Sequence, residues 1–279
     1  MFLIIGSSGQ LGSELKKFYS KTDAIFSTFK DIDISNFSNI VEFGKSRNIK
    51  GIINCAAYTN VDEAETDKLE CEKVNIDGVR NLVKFANIRE IPIIHISTDY
   101  VFDGCSNSKY KEDDKTNPLS VYGSSKLESE KIFMELANSG AIIRTSWLYS
   151  EFGNNFVKTI LRLSKDKDSL SIISDQIGSP TYANDLARII YCMMPEINNY
   201  HPEIYHFSNE GVASWYDFAC EIVSQLKIDI PVIPIYTKDY HAAAVRPKYS
   251  VLDKSKIKAK FNIENYHWKE SLGRCLKRL

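Results

Sequence analysis

A strand, a glycine turn and a helix open the chain, and they restrict its fold more than any other segment. Phe2-Leu-Ile-Ile5 is an apolar run of strand length, followed at once by Gly6-Ser-Ser-Gly9-Gln-Leu-Gly12. Leu11, Leu15, Phe18 and Tyr19 then recur at helical spacing. Glycines at a strand-to-helix turn let the backbone approach a pyrophosphate, which is held by the free N–H groups at the start of the helix. The spacing is G-x-x-G-x-x-G rather than the usual dinucleotide fingerprint, so the strand before and the helix after carry the reading. Gly6, Ser8, Gly9, Gln10, Leu11 and Gly12 are thereby candidate cofactor contacts.

The alternation continues. Residues 24–29, 51–57, 93–97 and 141–145 read as further strands, and residues 69–88 read as a long helix with Val74, Val79, Leu82, Val83 and Ala86 on one face. Strands alternating with helices define an α/β chain with a doubly wound parallel sheet of Rossmann type, whose ligands bind beyond the carboxyl ends of the strands. Gly6, Asn54, Thr98 and Thr145 stand at such ends. The small residues Ala56 and Ala57, with Tyr58 after them, allow a ribose or adenine close to the backbone. Asn75 reads either as a solvated helix residue or as a side chain bonded to backbone that positions a water near Lys126.

Further on, residues 155–165 and 182–194 read as helices and 171–173 as a short strand. Ser214 is an N-cap for a helix through Leu226, and Pro231-Val-Ile-Pro234-Ile an edge strand. These short elements form a smaller α/β substrate-binding lobe over the sheet. Residues 1–146 are expected to bind the dinucleotide. Residues 147–279 are expected mainly to bind substrate, with some segments returning to the first lobe.

The chemistry is concentrated in residues 95–126. His95-Ile-Ser-Thr-Asp-Tyr-Val-Phe-Asp-Gly104 precedes Val121-Tyr122-Gly-Ser-Ser-Lys126. Tyr122 and Lys126 lie one helical turn apart on one face, so the ammonium is expected to lower the phenol pKa toward working pH. Such a phenol can give a proton to a carbonyl oxygen, and Thr98 at a strand end would hydrogen-bond that oxygen. Ser97 is a rival for this task. His95, alternating with apolar neighbours, reads as a core histidine.

The chain resembles the extended short-chain dehydrogenases/reductases, and among them the dTDP-4-dehydrorhamnose reductase family. The matching motifs are Gly6-x-x-Gly-Gln-Leu-Gly12, Asn54-x-Ala-Ala-Tyr-Thr-x-Val-Asp62, Val74-Asn75, Ser97-Thr-Asp-Tyr-Val-Phe-Asp-Gly104 and Pro118-Leu-x-Val-Tyr-Gly-x-x-Lys126. Arg144-Thr-Ser-Trp-Leu-Tyr149, Gly153-Asn-Asn-Phe156, Asp175-Gln-x-Gly-x-Pro-Thr181 and Arg246-Pro247 complete them. They are collinear over nearly the whole chain.

The resemblance implies reduction of the C4 ketone of a dTDP-linked 4-keto-6-deoxysugar by NADPH or NADH, the last step in making dTDP-L-rhamnose. It places the catalytic triad on Thr98, Tyr122 and Lys126, with Lys126 also holding the nicotinamide ribose. Asp99, Tyr100 and Trp147 would surround the sugar, although Trp147 equally reads as core packing. Asn155 and Arg246 would contact the diphosphate, a task that suits the planar arginine fork. Lys30 follows a second strand without an acidic tip and would pair with a 2′-phosphate, favouring NADPH; the adjacent Asp31 would favour NAD instead. Asp33 would cap the next helix or touch adenine. Some relatives bridge subunits through magnesium held by glutamates. Glu14 matches one such position, but Asn184 stands where an acid is expected, so no metal is predicted; a homodimer is compatible with the resemblance. Other readings are an epimerase or dehydratase of the same fold, or a non-catalytic regulatory subunit like that of methionine adenosyltransferase.

Bulk properties fit this frame. A net charge of −1 over 279 residues gives no electrostatic case for nucleic acid or a membrane surface. No run approaches membrane-spanning length, and the six cysteines form no C-x-x-C pair, so reduced thiols in the cytoplasm are expected. The lysines of 254–260, interleaved with Ser, Ile and Ala, read as a solvated helix face.

Overall fold

A computed structural model describes residues 1–197 and 201–279. Its centre is a parallel sheet of β1 (Phe2–Ile5), β2 (Ala24–Ser27), β3 (Gly51–Asn54), β4 (Ile93–Thr98), β5 (Gly140–Thr145) and β10 (Glu203–His206), in the order β10-β5-β4-β3-β1-β2. The four inner strands, β1, β3, β4 and β5, are buried on both faces, which explains their largely apolar sequence. One face packs Ile40, Leu82, Val83 and Phe133, from α2 (Phe37–Gly44), α4 (Gly78–Ile88) and α5 (Val121–Leu136), against Leu3, Ile52 and Ile142. The other receives α1 (Gln10–Leu15), α7 (Ala183–Met193) and α9 (Ser255–Phe261). The order reverses at β1, since β2 lies on one side of it and β3 on the other. A crevice at such a reversal is where open α/β sheets bind ligands.

Two glycines make the first turn possible. Gly6 has φ +77°, and a Cβ there would lie 2.7 Å from the Ala56 backbone nitrogen. A Cβ on Gly12 would collide with the Gly6 carbonyl, so its absence lets α1 sit directly on the turn.

The expected helix over 69–88 is interrupted. α3 (Lys68–Glu72) passes into a π-helical turn over Lys73–Asp77 before α4 begins. The wider turn buries Asn75, whose side chain accepts the Tyr58 N–H at 2.9 Å and donates to Tyr58 O at 3.2 Å and Ser125 Oγ at 2.9 Å. Of the two readings of Asn75, attachment to backbone is observed, and its polar atoms are committed to Tyr58 and Ser125.

The second half builds β6 (Leu148–Tyr149), α6 (Phe156–Asp166), β7 (Leu170–Ile173), β8 (Ile177–Gly178), β9 (Thr181–Tyr182), β11 (Ala213–Ser214), α8 (Trp215–Gln225), β12 (Val232–Ile235) and α10 (Trp268–Leu276). Tyr149, Val157, Phe218, Ile222, Trp268 and Leu272 form its core. Ser214 caps α8 through a reciprocal capping box with Asp217. β12, with Pro234 inside it and Pro231 just before it, pairs with β7 in a two-stranded sheet. α7 and β10 return to the large sheet.

Two local expectations are corrected. Asp33 does not cap α2: its carboxylate accepts from the backbone and hydroxyl of Ser35, and Asn36 is the N-cap. The 254–260 lysines are not simply solvated, because Lys254 is buried against Glu210, which Lys258 also reaches. Among the described residues no helix is long and apolar enough to cross a membrane.

Candidate active site

The carboxyl end of β4 delivers Ser97 and Thr98, both buried. Thr98 Oγ1 accepts the Tyr100 N–H at 3.2 Å and donates to Asp99 Oδ1 at 3.1 Å, closing the tight turn that follows. The Ser97 hydroxyl donates to Glu130 at 2.5 Å, away from that turn. Thr98, not Ser97, is therefore the hydroxyl left beside Tyr122, whose phenol pKa it acts to lower.

Tyr122 and Lys126 lie on the first turns of α5, whose N-cap Ser120 accepts the Gly123 N–H. Both line a cleft of about 610 Å³ at the carboxyl edge of the sheet. The phenol is not lowered toward working pH. Burial pushes Tyr122 above its ordinary value, and the neighbouring Thr98 hydroxyl works the other way. The Lys126 ammonium donates to the Ile96 carbonyl at 2.7 Å and meets His95 at 3.2 Å. Burial brings Lys126 itself down to about 8, against the opposing pull of Glu130. Asp99, also buried, is pushed up to about 7.

The same cleft is lined by Gly9, Gln10, Leu11, Gly12 and Ala57. Gly6 and Ser8 belong to the turn, and neither they nor Ala56 and Tyr58 are among the lining residues. Lys30 and Asp33 lie beyond the cleft at the exit of β2, where Lys30 is exposed. Asp31 is turned back, accepting from the N–H and hydroxyl of Thr28 at 2.8 and 2.7 Å.

The cleft is also lined by Thr98, Asp99, Tyr100, Trp147 and Asn155. Trp147 occupies the left-handed region at φ +47°, a costly place for a bulky residue. Its indole stacks on Trp215, with centroids 3.6 Å apart and planes at 6°. Trp215, which also lines the cleft, escaped the sequence reading because it is the first residue after a helix cap, where an aromatic signals nothing by itself. Asn155 caps α6 by accepting the Lys158 N–H and donates to Gln10 Oε1 at 3.1 Å, tying the start of α6 to the glycine turn. Arg246 pairs with Asp62 and lies near Tyr100, which lines the cleft. It does not line the cleft, and its guanidinium is held by Asp62 in two contacts of 2.6 and 3.1 Å. Arg246 in turn holds the Asp62 carboxyl below its ordinary range.

Glu14 is buried and fully engaged. It accepts from Ser150 at 2.7 Å and Asn184 at 2.8 Å, and the Lys17 ammonium lies 2.8 Å from it while also contacting Glu151. A cation already occupies the centre of this carboxylate pair, and an amide donor faces it. That arrangement does not fit a divalent ion.

A doubly wound parallel sheet with a glycine turn and a Thr, Tyr and Lys set lining one cleft defines an extended short-chain dehydrogenase/reductase. Within that class the chain belongs to the RmlD substrate binding domain family, whose model matches residues 1–279. It is 41% identical to a dTDP-4-dehydrorhamnose reductase of Aggregatibacter actinomycetemcomitans, over 97% of this chain and 96% of that one. Among solved structures, a dTDP-4-dehydrorhamnose reductase of Clostridium acetobutylicum superposes with a TM-score of 0.94 at 39% identity, covering 99% of this chain and 98% of that one. The Bacillus anthracis enzyme, crystallised in complex with NADP, gives 0.95 at 36% identity, covering 100% and 99%.

Proposed function

We propose that this protein reduces the C4 ketone of dTDP-4-dehydro-L-rhamnose to dTDP-L-rhamnose with NADPH. The observation that carries the reading is the convergence of Thr98, Tyr122 and Lys126 on one cleft with the glycine turn of residues 9–12. NADPH, when bound along that turn, supplies the hydride. Tyr122 donates its proton to the oxygen that becomes an alcohol, and its raised pKa keeps the proton in place until negative charge develops there. Thr98 orients the same oxygen. Lys126, charged and desolvated, holds the ribose and strengthens the field at the reacting atoms. Asp99, Tyr100, Trp147 and Trp215 enclose the sugar.

Asp99 is the one carboxylate among the residues lining the cleft, so the acid and base pair that a dehydratase needs is not assembled there. A regulatory role would not require Thr98, Tyr122 and Lys126 to be gathered. The donor set around Glu14 argues that no magnesium takes part. Residues 1–146 would carry the cofactor and 147–279 most of the substrate site. A cytoplasmic location suits the cofactor and the six free cysteines.

NADPH is favoured because Asp31 is committed to Thr28, leaving Lys30 as the free group beside β2. The experiment is NADPH oxidation followed with and without dTDP-4-dehydro-L-rhamnose, in wild type and Lys30→Ala. Oxidation should require the sugar nucleotide. Lys30→Ala should weaken NADPH by about 1.5–3 kcal/mol, the usual worth of a charge-assisted contact, and leave NADH unaffected. Substrate-independent or absent oxidation would refute the function; equal losses for both cofactors would remove Lys30 from its role.

A further inference from the structure

His95 sits near the middle of β4 with its ring fully buried, and its neighbours decide which ring nitrogen carries the proton. At Nδ1 the partner is Asn54 Nδ2, 3.1 Å away. The Asn54 amide is held in this orientation because its Oδ1 accepts the Ala56 N–H at 3.1 Å. The group facing Nδ1 is therefore a donor, and Nδ1 must accept. At Nε2 the partners are Ser129 Oγ and Lys126 Nζ, both at 3.2 Å. Ser129 uses its single hydrogen on the Lys126 carbonyl at 2.7 Å, so toward the ring it can only accept. Two independent contacts place the proton on Nε2. Burial, and then the charge of Lys126, hold the imidazole well below its ordinary pKa, so the ring stays neutral in that single tautomer.

Lys126 consequently faces an N–H. An ammonium has three donors and no acceptor. One serves the Ile96 carbonyl, and the imidazole accepts none of the others. A neutral amine in the same place has a lone pair that would receive the His95 N–H. We propose that His95 is a positioning residue for Lys126: locked as the Nε2–H tautomer by Asn54 and Ser129, it turns the free ammonium hydrogens toward the cleft and favours loss of a proton from Nζ. The consequence for catalysis rests on Lys126 belonging to the reducing site; the tautomer does not. Burial acts on the lysine in the same direction. The other titratable and charged groups around Nζ are Cys71 on α3, Tyr122 one turn earlier on α5, and Glu130 one turn later, itself paired with Arg144 of β5.

The test has two arms. Ring-nitrogen spectra of 15N-histidine-labelled protein, with the His95 signals assigned by their loss in His95→Phe or His95→Gln, should show a protonated Nε2 and an unprotonated Nδ1. That pattern should persist from about pH 6 to about pH 9, across the ordinary imidazole range. An Nδ1–H tautomer, or an imidazolium within that range, would overturn the inference whatever reaction the protein catalyses. In the second arm Asn54→Asp replaces the amide donor by a carboxylate oxygen. The tautomer should reverse, giving Nε2 a lone pair for the ammonium. The alkaline limb of kcat/KM for sugar-nucleotide reduction should then rise by about one pH unit or more, since an acceptor and a nearby opposite charge both favour the charged lysine. A reversed tautomer with an unmoved alkaline limb would overturn the link to Lys126. An absence of reductase activity in the wild type would instead count against the proposed function, leaving the first arm to decide the tautomer.

Discussion

Tyr122→Phe is expected to lower turnover by about 10²–10⁴-fold, the range for loss of a general acid, while leaving NADPH affinity nearly unchanged. The substitution removes only a hydroxyl. The ring keeps its place on α5, edge-on to Tyr100 at 6.0 Å between centroids. Cofactor titration by fluorescence and single-turnover rates would separate binding from chemistry. A variant that kept more than about a tenth of wild-type turnover, a barrier increase of under ~1.4 kcal/mol, would show that the proton comes from elsewhere.

Glu130→Ala is expected to destabilise the fold by about 3–5 kcal/mol, because it strands a buried guanidinium. Arg144 donates to Glu130 through Nε at 2.9 Å and Nη2 at 2.7 Å, with the two side chains 3% and 2% exposed. Ser97 supplies a further donor to the same carboxylate. The pair fastens α5 to β4 and β5 one turn beyond Lys126, so it also sets where the reacting side chains stand. Replacing both partners with apolar residues, Glu130→Leu with Arg144→Met, should recover much of the loss, since a buried ion pair contributes little net stability over good packing. Denaturant unfolding with an unchanged slope would measure both effects. A single-variant loss below about 1 kcal/mol, a value ordinary for exposed pairs, would mean that water reaches the site.

What the sequence made legible was local. A strand, a glycine turn and a helix are adjacent in the chain, as are Tyr122 and Lys126 on α5, and short-range geometry governs both. The cap of α8 and the edge position of β12 follow from the same kind of signal. What it hid depended on partners far along the chain. Arg246 reads as a lone arginine, yet it pairs with Asp62, a carboxylate on the loop after β3. Lys254 looks solvated within its own lysine-rich stretch, yet Glu210 buries it. The π-helical turn that brings Asn75 inward leaves no mark on the apolar periodicity around it. His95 was legible as buried, but the donors and acceptors that orient its ring come from β3 and α5. Tyr122 shows the same limit in its electrostatics. The i, i+4 spacing places a lysine nearby, but the direction of its ammonium depends on the Ile96 carbonyl and on His95.

The central claim, hydride delivery to C4 of a nucleotide-linked sugar, is tested most directly by following the hydride itself. The protein would be given NADPH carrying deuterium at the transferable position of the nicotinamide, together with dTDP-4-dehydro-L-rhamnose. The product would then be examined by proton NMR and mass spectrometry. The account predicts dTDP-L-rhamnose with deuterium at C4 and at no other carbon, formed in step with cofactor oxidation and absent in Tyr122→Phe. Sugar recovered without label, or label at any other ring carbon, would contradict it.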